Sequence, residues 1–378
     1  MSNMTELLPV VIISMILAVI SHMRSDYSYT MERYRRKEKL CYVVMAVIMV
    51  LFVGLRTKCN DTGAYRHAYE LMSADGSIFD AVDDWSIGSN PGFNLVNSIL
   101  KRLGASTQTF LMFYAIVTVS IYLWFLRKYS TNLWLTLFLC ITTGVYTFTL
   151  AAIKQCVAMA ICLLATDCAL RKKWVPFVLW VALATLFHPY SFMYLPVPLL
   201  TFCPWTRWTY LTLLVFALAG VLLQSLLGSI INITTMMGEE YSAESFSGEG
   251  VNPFRLAVCA VPLLISFIAQ KHIAFMDKEK EKPYYLFLNL SILNAEIMFV
   301  ALFGTANYFA RLANYFLIFQ TLSIPWLLQF FDKKSRQLLT VAAVVCYCLY
   351  FYYANAINQP FNAEYDSVTI WEYLRSLF

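Results

Sequence analysis

Four short stretches of this chain hold residues able to do chemistry. Residues 54–65 read Gly-Leu-Arg-Thr-Lys-Cys-Asn-Asp-Thr-Gly-Ala-Tyr. Arg56 offers a planar fork that grips an anionic group through two parallel bonds. Asn60 and Tyr65 offer neutral hydrogen bonds, and Asp61 offers a base or an acceptor for a sugar hydroxyl. A plainer reading stands beside this one: Asn60 or Asp61 caps a short helix starting near Ala64, and Arg56 reaches to lipid headgroups. The second stretch is Lys154-Gln155, a lysine with no acidic residue within one helical turn. A phosphate partner and snorkelling to the interface explain it equally well. The third is His188, one of only four histidines, ahead of a proline that must stop its helix. It either bonds free carbonyls at the helix end or serves as a general base or phosphate ligand, since imidazole titrates near neutrality. In the fourth, Tyr308 and Tyr315 stand three and four residues from Arg311, on one helical face. Aromatic rings beside a cation suit a sugar next to a phosphate, and they also suit an interfacial aromatic belt.

The elements that carry these residues are dictated by composition. Of 378 residues, 60% are hydrophobic and only 13% charged, about half the charge of a typical soluble domain. The apolar residues come in runs of roughly 15–25, the length that crosses a bilayer as a helix. Backbone groups in lipid must bond within their own element, and the ten-residue alternation of a membrane barrel is missing. The expected fold is all-α: one polytopic transmembrane bundle of about twelve helices over residues 1–378. The spans fall near 6–22, 40–55, 107–126, 131–147, 149–169, 174–188, 190–203, 208–231, 255–270, 284–303, 308–330 and 337–354. The run 7–20 is read as a retained first helix, because its basic flank follows it and no small-residue cleavage site does. Ten cysteines occur without a CxxC pair, mostly inside apolar runs, so neither a metal site nor a disulfide framework is expected.

Charge sets the orientation. With the N-terminus outside, the segments 23–39, 127–130, 171–173, 204–207, 271–283 and 332–336 face the cytoplasm and hold 19 of the 28 Lys and Arg residues. The acidic loop 232–254 then falls outside. So does the hydrophilic segment 56–106, where Tyr65, Tyr69 and Met72 share one helical face and Phe93, Val96, Leu100 and Leu103 another. Two short amphipathic helices at the outer interface are expected there. Arg56, Lys154, His188 and Arg311 all land on this outer side. Four cationic or protonatable groups converging there imply a polyanionic ligand, and diphosphate is the natural candidate. No nucleotide motif occurs, and the cluster faces away from the cytoplasm, which points to a lipid-linked diphosphate.

The order of motifs resembles a known family. Gly-Leu-Arg with Asn-Asp-Thr and Tyr at 54–65, Asn-Pro-Gly-Phe at 90–93, Lys-Gln and Ala-Met-Ala at 154–160, Phe-His-Pro-Tyr-Ser at 187–191 and Arg with Tyr-Phe at 311–316 follow one another. This resembles the EpsG family of bacterial exopolysaccharide and O-antigen polymerases, the Wzy-like membrane proteins, over nearly the whole chain. The chain has Cys59-Asn60-Asp61 where the family usually has Gly-Thr-Asp, Lys154-Gln155 for Arg-Gln, and Asn90 for a frequent acidic residue. The aspartate and the charge are kept, but the bidentate fork at 154 and the carboxylate at 90 are not.

The resemblance implies polymerisation of undecaprenyl-diphosphate-linked oligosaccharide repeats at the outer face of the inner membrane. That is a metal-independent glycosyl transfer without a cofactor. Its partners would be the lipid-linked sugars, membrane lipid and a chain-length regulator, with no nucleic acid. Arg56, Lys154 and Arg311 would meet the charge developing on the leaving diphosphate. His188, with Asp61 second, would take the acceptor's proton, and Asn60, Tyr65, Gln155, Tyr308 and Tyr315 would bind substrate. The rival class is a flippase or transporter of the same lipid-linked oligosaccharide. It is disfavoured because no strong inverted repeat is seen. A membrane acyltransferase would want a polar partner for a cytoplasmic histidine, and His272 has none at helical spacing.

Overall fold

A computed structural model describes residues 3–28, 33–82, 86–236, 250–304 and 306–375. It is an all-α membrane bundle. Its helices are α1 (Met4–Met23), α2 (Leu40–Gly54), α3 (Thr62–Leu71), α4 (Pro91–Arg102), α5 (Thr107–Tyr129), α6 (Leu133–Thr142), α7 (Val145–Phe148) and α8 (Ile153–Leu170). They continue with α9 (Trp174–Phe187), α10 (Arg207–Val221), α11 (Leu223–Met236), α12 (Pro253–Ala274), α13 (Lys278–Val300), α14 (Ala306–Leu327), α15 (Lys333–Tyr352) and α16 (Ser367–Arg375). Side-chain oxygens fix several starts. Ser106, Asn132, Asn252, Asp277 and Asp332 each accept a backbone N–H of the first turn of α5, α6, α12, α13 and α15. A short antiparallel pair, β1 (Asp26–Ser28) and β2 (Arg33–Arg36), lies between α1 and α2 and was not expected.

Among the described residues, six helices are long and apolar enough to cross a membrane, or seven if the bent pair α10–α11 is one span. Several of the twelve expected spans take another form among these residues, for identifiable reasons. The span 131–147 divides at Gly144, whose φ of +90° ends α6 and starts the single turn α7. The span 190–203 is no α-helix. Pro189, Pro196 and Pro198 remove backbone donors, and the chain runs as 3-10 turns over Pro189–Tyr194 and Val197–Thr201. Asn289 of α13 holds these turns by donating to the carbonyls of Leu200 and Phe202 at 2.8 and 2.9 Å. The span 208–231 bends by 99° between α10 and α11. Helices α2, α6 and α9 are apolar but short, at 10–17 residues. The acidic residues Glu239, Glu240, Glu244 and Glu249 lie outside the described residues.

Packing sorts the helices into inner and outer ones. Helices α8, α13 and α14 are buried along most of their length, whereas α1 and α15 expose Leu8, Ile12, Ile16, Leu338, Val341 and Leu349. Lipid is as apolar as leucine, so inner helices associate through close packing and polar ties. Asn294 of α13 donates to Ala313 O of α14 at 2.6 Å, and Ser291 pairs with Ser323 at 3.1 Å. The two amphipathic helices form as expected, yet they sit on the bundle as well as at its surface. Tyr69 of α3 stacks on Phe110, and Phe93 of α4 on Tyr114, both of α5. Leu103, expected on the apolar face of α4, is 77% exposed, because α4 has already ended at Arg102.

Candidate active site

The Arg56 stretch leaves α2 at a tight contact. A Cβ at Gly54 would collide with Met112 of α5. Gln108 of α5 donates to the Gly54 carbonyl at 2.6 Å and to that of Arg56 at 3.3 Å. Arg56 is only 1% exposed. Its Nε donates to Thr62 Oγ1 at 3.1 Å and its Nη1 to the Val53 carbonyl at 2.5 Å. Arg56 therefore does not reach outward to headgroups; its guanidinium is aimed by its neighbours. Asn60 adopts φ +41°, a conformation asparagine tolerates. Asp61 precedes α3 and is exposed, but its side chain caps nothing, which removes the capping reading for it.

Tyr65, one turn into α3, meets Phe93 edge-on at 5.8 Å. Burial, with Asp61 beside it, pushes its phenol up to about 12, so it remains a hydrogen-bond donor. Lys154 Nζ lies 5.2 Å from the Phe93 ring and 6.0 Å from the Tyr65 ring. The expected span 149–169 puts Lys154 more than one turn inside a helix. Lys154 is the second residue of α8, because 149–152 form a turn and the helix starts at Ile153. It thus stands at the positive end of an 18-residue helix. Gln155 is buried, and its Nε2 donates to the Arg311 carbonyl at 2.6 Å, tying α8 to α14. Arg311 itself is exposed.

His188 is the first residue beyond α9 and keeps 8% of its surface exposed. Its ring does not bond helix carbonyls. Nδ1 lies 2.9 Å from the Tyr315 hydroxyl, which lies 3.0 Å from Ser191 Oγ. Tyr194 donates to the Tyr315 carbonyl at 3.1 Å. Burial first, then the charges of Arg311 and Lys154, lower the imidazole to about 3, so it is neutral at physiological pH. Tyr315 is fully buried and acts on His188. Tyr308 is also buried and meets Tyr190 edge-on at 5.7 Å.

The structure brings Arg56, Tyr65, Lys154, His188 and Arg311 together at the α3–α4 end of the bundle, where Arg311 acts on both Tyr65 and His188. Asp61 lies at its exposed edge. Sequence reasoning had not weighed Thr62, Gln108 or Tyr365 at this site, nor Ser191, although Ser191 lies inside a motif it used. Arg255 of α12 donates to Asn314 Oδ1 at 2.9 Å, one turn from Arg311. Among the described residues no group of three or more His, Cys, Asp or Glu side chains could hold a metal ion. All ten cysteines are free thiols.

A family model describing the EpsG family matches residues 39–373. The chain belongs to the EpsG family. The matched region takes in every residue of this EpsG site and omits only α1, the β1–β2 pair and the last few residues. No curated protein and no solved structure matches the chain significantly.

Proposed function

We infer that this EpsG protein polymerises undecaprenyl-diphosphate-linked oligosaccharide units at the outer face of the bacterial inner membrane. The observation that carries this reading is the gathering of Lys154, Arg311 and the α8 N-terminus around a neutral imidazole, beside the Arg56 loop. Cations and a helix N-terminus suit a diphosphate. A neutral imidazole suits a proton acceptor. Exposed apolar α1 and α15 suit a substrate whose tail stays in lipid. The orientation is supported by the basic residues gathered at the opposite end.

In the reaction, the acceptor hydroxyl oxygen of one lipid-linked unit bonds to the anomeric carbon of the growing chain. The bond from that carbon to the donor phosphate oxygen breaks, and undecaprenyl diphosphate departs with the electron pair. Lys154, Arg311 and Arg56 stabilise the charge gathering on the departing phosphate, so the protein's own cations neutralise it. His188 takes the acceptor proton. The bound diphosphate raises the basicity of His188 when the substrate is in place, because a nearby anion favours imidazolium. Tyr315 holds the ring in register, Gln155 holds the Arg311 backbone rather than substrate, Tyr308 packs behind on Tyr190, and Asn60, Asp61 and Tyr65 line the approach of the sugars.

The test is an Arg311→Ala strain whose surface polysaccharide and lipid-linked intermediates are separated on gels. Loss of long polymer, with single units accumulating on the outer face and the protein still folded, is the expected result. Normal polymer length and yield would count against the site. Units trapped on the cytoplasmic side would make the protein a flippase.

A further inference from the structure

The last part of the chain folds back over the site. After α15 a π turn, Tyr353–Asn358, reverses the direction, and Phe361 N donates to Asn355 O at 2.7 Å. Residues 361–365 then run beside the Arg56 loop. Thr57 N donates to the Glu364 carbonyl at 2.8 Å, and Glu364 N donates to the Lys58 carbonyl at 2.9 Å. Asn362 Nδ2 donates to Asn60 Oδ1 at 3.0 Å, and Asn362 Oδ1 lies 3.5 Å from Cys59 Sγ. The Tyr365 hydroxyl donates to the Phe52 carbonyl at 2.9 Å, with its ring 4.9 Å from that of Phe52. Phe361 stacks on Phe52 from 6.4 Å, and Ala363 is fully buried. The N-terminus locks the far side, since Asn3 bonds the carbonyls of Phe361 and Ala363 at 2.7 and 2.8 Å.

Residues 57–61 belong to no helix or strand, so their backbone groups need partners from elsewhere. Gln108 holds the loop's start, and residues 361–365 hold its middle. The exposed pair Lys58–Glu364, at 3.0 Å, adds little in water. The main-chain bonds and the buried rings are what fix the loop. A catalytic cation misplaced by an ångström loses much of its effect.

We propose that residues 361–365 are a strap that fixes the Arg56 loop, with Asn362 and Tyr365 as positioning residues acting through Arg56. This rests on the reading that Arg56 serves the departing diphosphate. The loop's own thiol reports the strap independently of that reading, because Cys59 is 3% exposed beneath it.

The experiment uses full-length protein in native membranes, with the exposed Cys346 and Cys348 replaced by Ser. The variant Asn362→Ala/Tyr365→Phe removes three side-chain contacts and leaves the backbone bonds. Maleimide labelling of Cys59 should become several-fold faster than in the parent; unchanged labelling overturns the strap. Polymerisation kcat/KM should fall by about tenfold, on the order expected of a misplaced charge. The same pair of substitutions placed on Arg56→Lys should lower it no further, since both act through one group. A full additional loss in the Arg56→Lys background overturns action through Arg56. Tyr365→Phe alone is the mild control for folding. If Arg56→Lys and the strap variant both polymerise normally while Cys59 labels faster, the strap stands and the diphosphate role of Arg56 fails.

Discussion

The two ends of the bundle use the same residue types in opposite ways. At the end opposite the site, Lys128 Nζ and Arg171 Nε both meet the Asp167 carboxylate, the second at 3.1 Å, and Tyr129 donates to it at 2.5 Å. Lys37 donates to the carbonyls of Arg127 and Lys128. Those cations join α5 to α8 and to the segment before α2. At the α3–α4 end, Lys154 stands over aromatic rings, Arg311 is exposed, and a neutral imidazole lies between their fields. A cation held by a buried carboxylate is part of the scaffold. On the proposed function, the cations set among rings and helix termini are the ones that meet the diphosphate.

That contrast can be broken in order of effect. Lys154→Ala should lower polymerisation by roughly 10²–10³-fold, the scale of removing one electrostatic contact to a transition state, with thermal stability unchanged. Lys128→Ala should do the reverse, and equal rate losses in the two variants would erase the distinction. Tyr315→Phe deletes the hydroxyl shared by His188 and Ser191 and should cost about tenfold in kcat, a part of the roughly 10²–10⁴-fold that a well-placed general base contributes. Wild-type kcat in this variant would mean the ring needs no such hold. Asp167→Asn should destabilise the folded protein by about 1–3 kcal/mol, the cost of losing charged hydrogen bonds, while activity per folded molecule stays within twofold. Thermal unfolding in detergent alongside single-turnover rates separates the two quantities.

A pH profile sharpens the same point without a mutation. Burial and the cations Arg311 and Lys154 hold His188 well below its ordinary value in the free protein. The kcat/KM profile reports the free enzyme, so it should show no acid limb near the ordinary 6.5. The kcat profile reports the complex, and its acid limb should lie higher, because the bound diphosphate favours imidazolium. A kcat/KM limb near 6.5 that disappears when His188 is replaced by Gln would contradict this lowering. Smallest of all, Glu364→Gln removes one exposed ion pair and should change stability by no more than about 1 kcal/mol.

How much was legible in the sequence follows from range. The apolar runs announced a helical membrane bundle, and the spacing of Tyr65, Tyr69, Phe93 and Val96 announced the two amphipathic helices. Arg56, Lys154, His188 and Arg311 were readable because each is polar in apolar surroundings. Their partners were harder to read. Gln108 lies 52 residues from Arg56, and Asn362 lies 302 from Asn60, so nothing in local pattern links them. Individual spans departed from expectation where local chemistry overrode hydropathy. Gly144 breaks one run, three prolines turn another into 3-10 geometry, and the run after Thr206 bends sharply. The role of Tyr315 changed for a related reason. Its helical face was clear, but that face turns inward to His188, which only the placing of the chain beyond α9 beside α14 decides.

The proposed joining of lipid-linked sugars at the gathered cations and His188 is open to direct reconstitution. Purified protein in lipid nanodiscs should be given undecaprenyl-diphosphate-linked repeat units, and both products measured. The account predicts a ladder of longer oligosaccharides, with one undecaprenyl diphosphate released for each new glycosidic bond, and loss of both in Arg311→Ala. Folded wild-type protein that forms no ladder, or an Arg311→Ala variant that forms the same one, would contradict it.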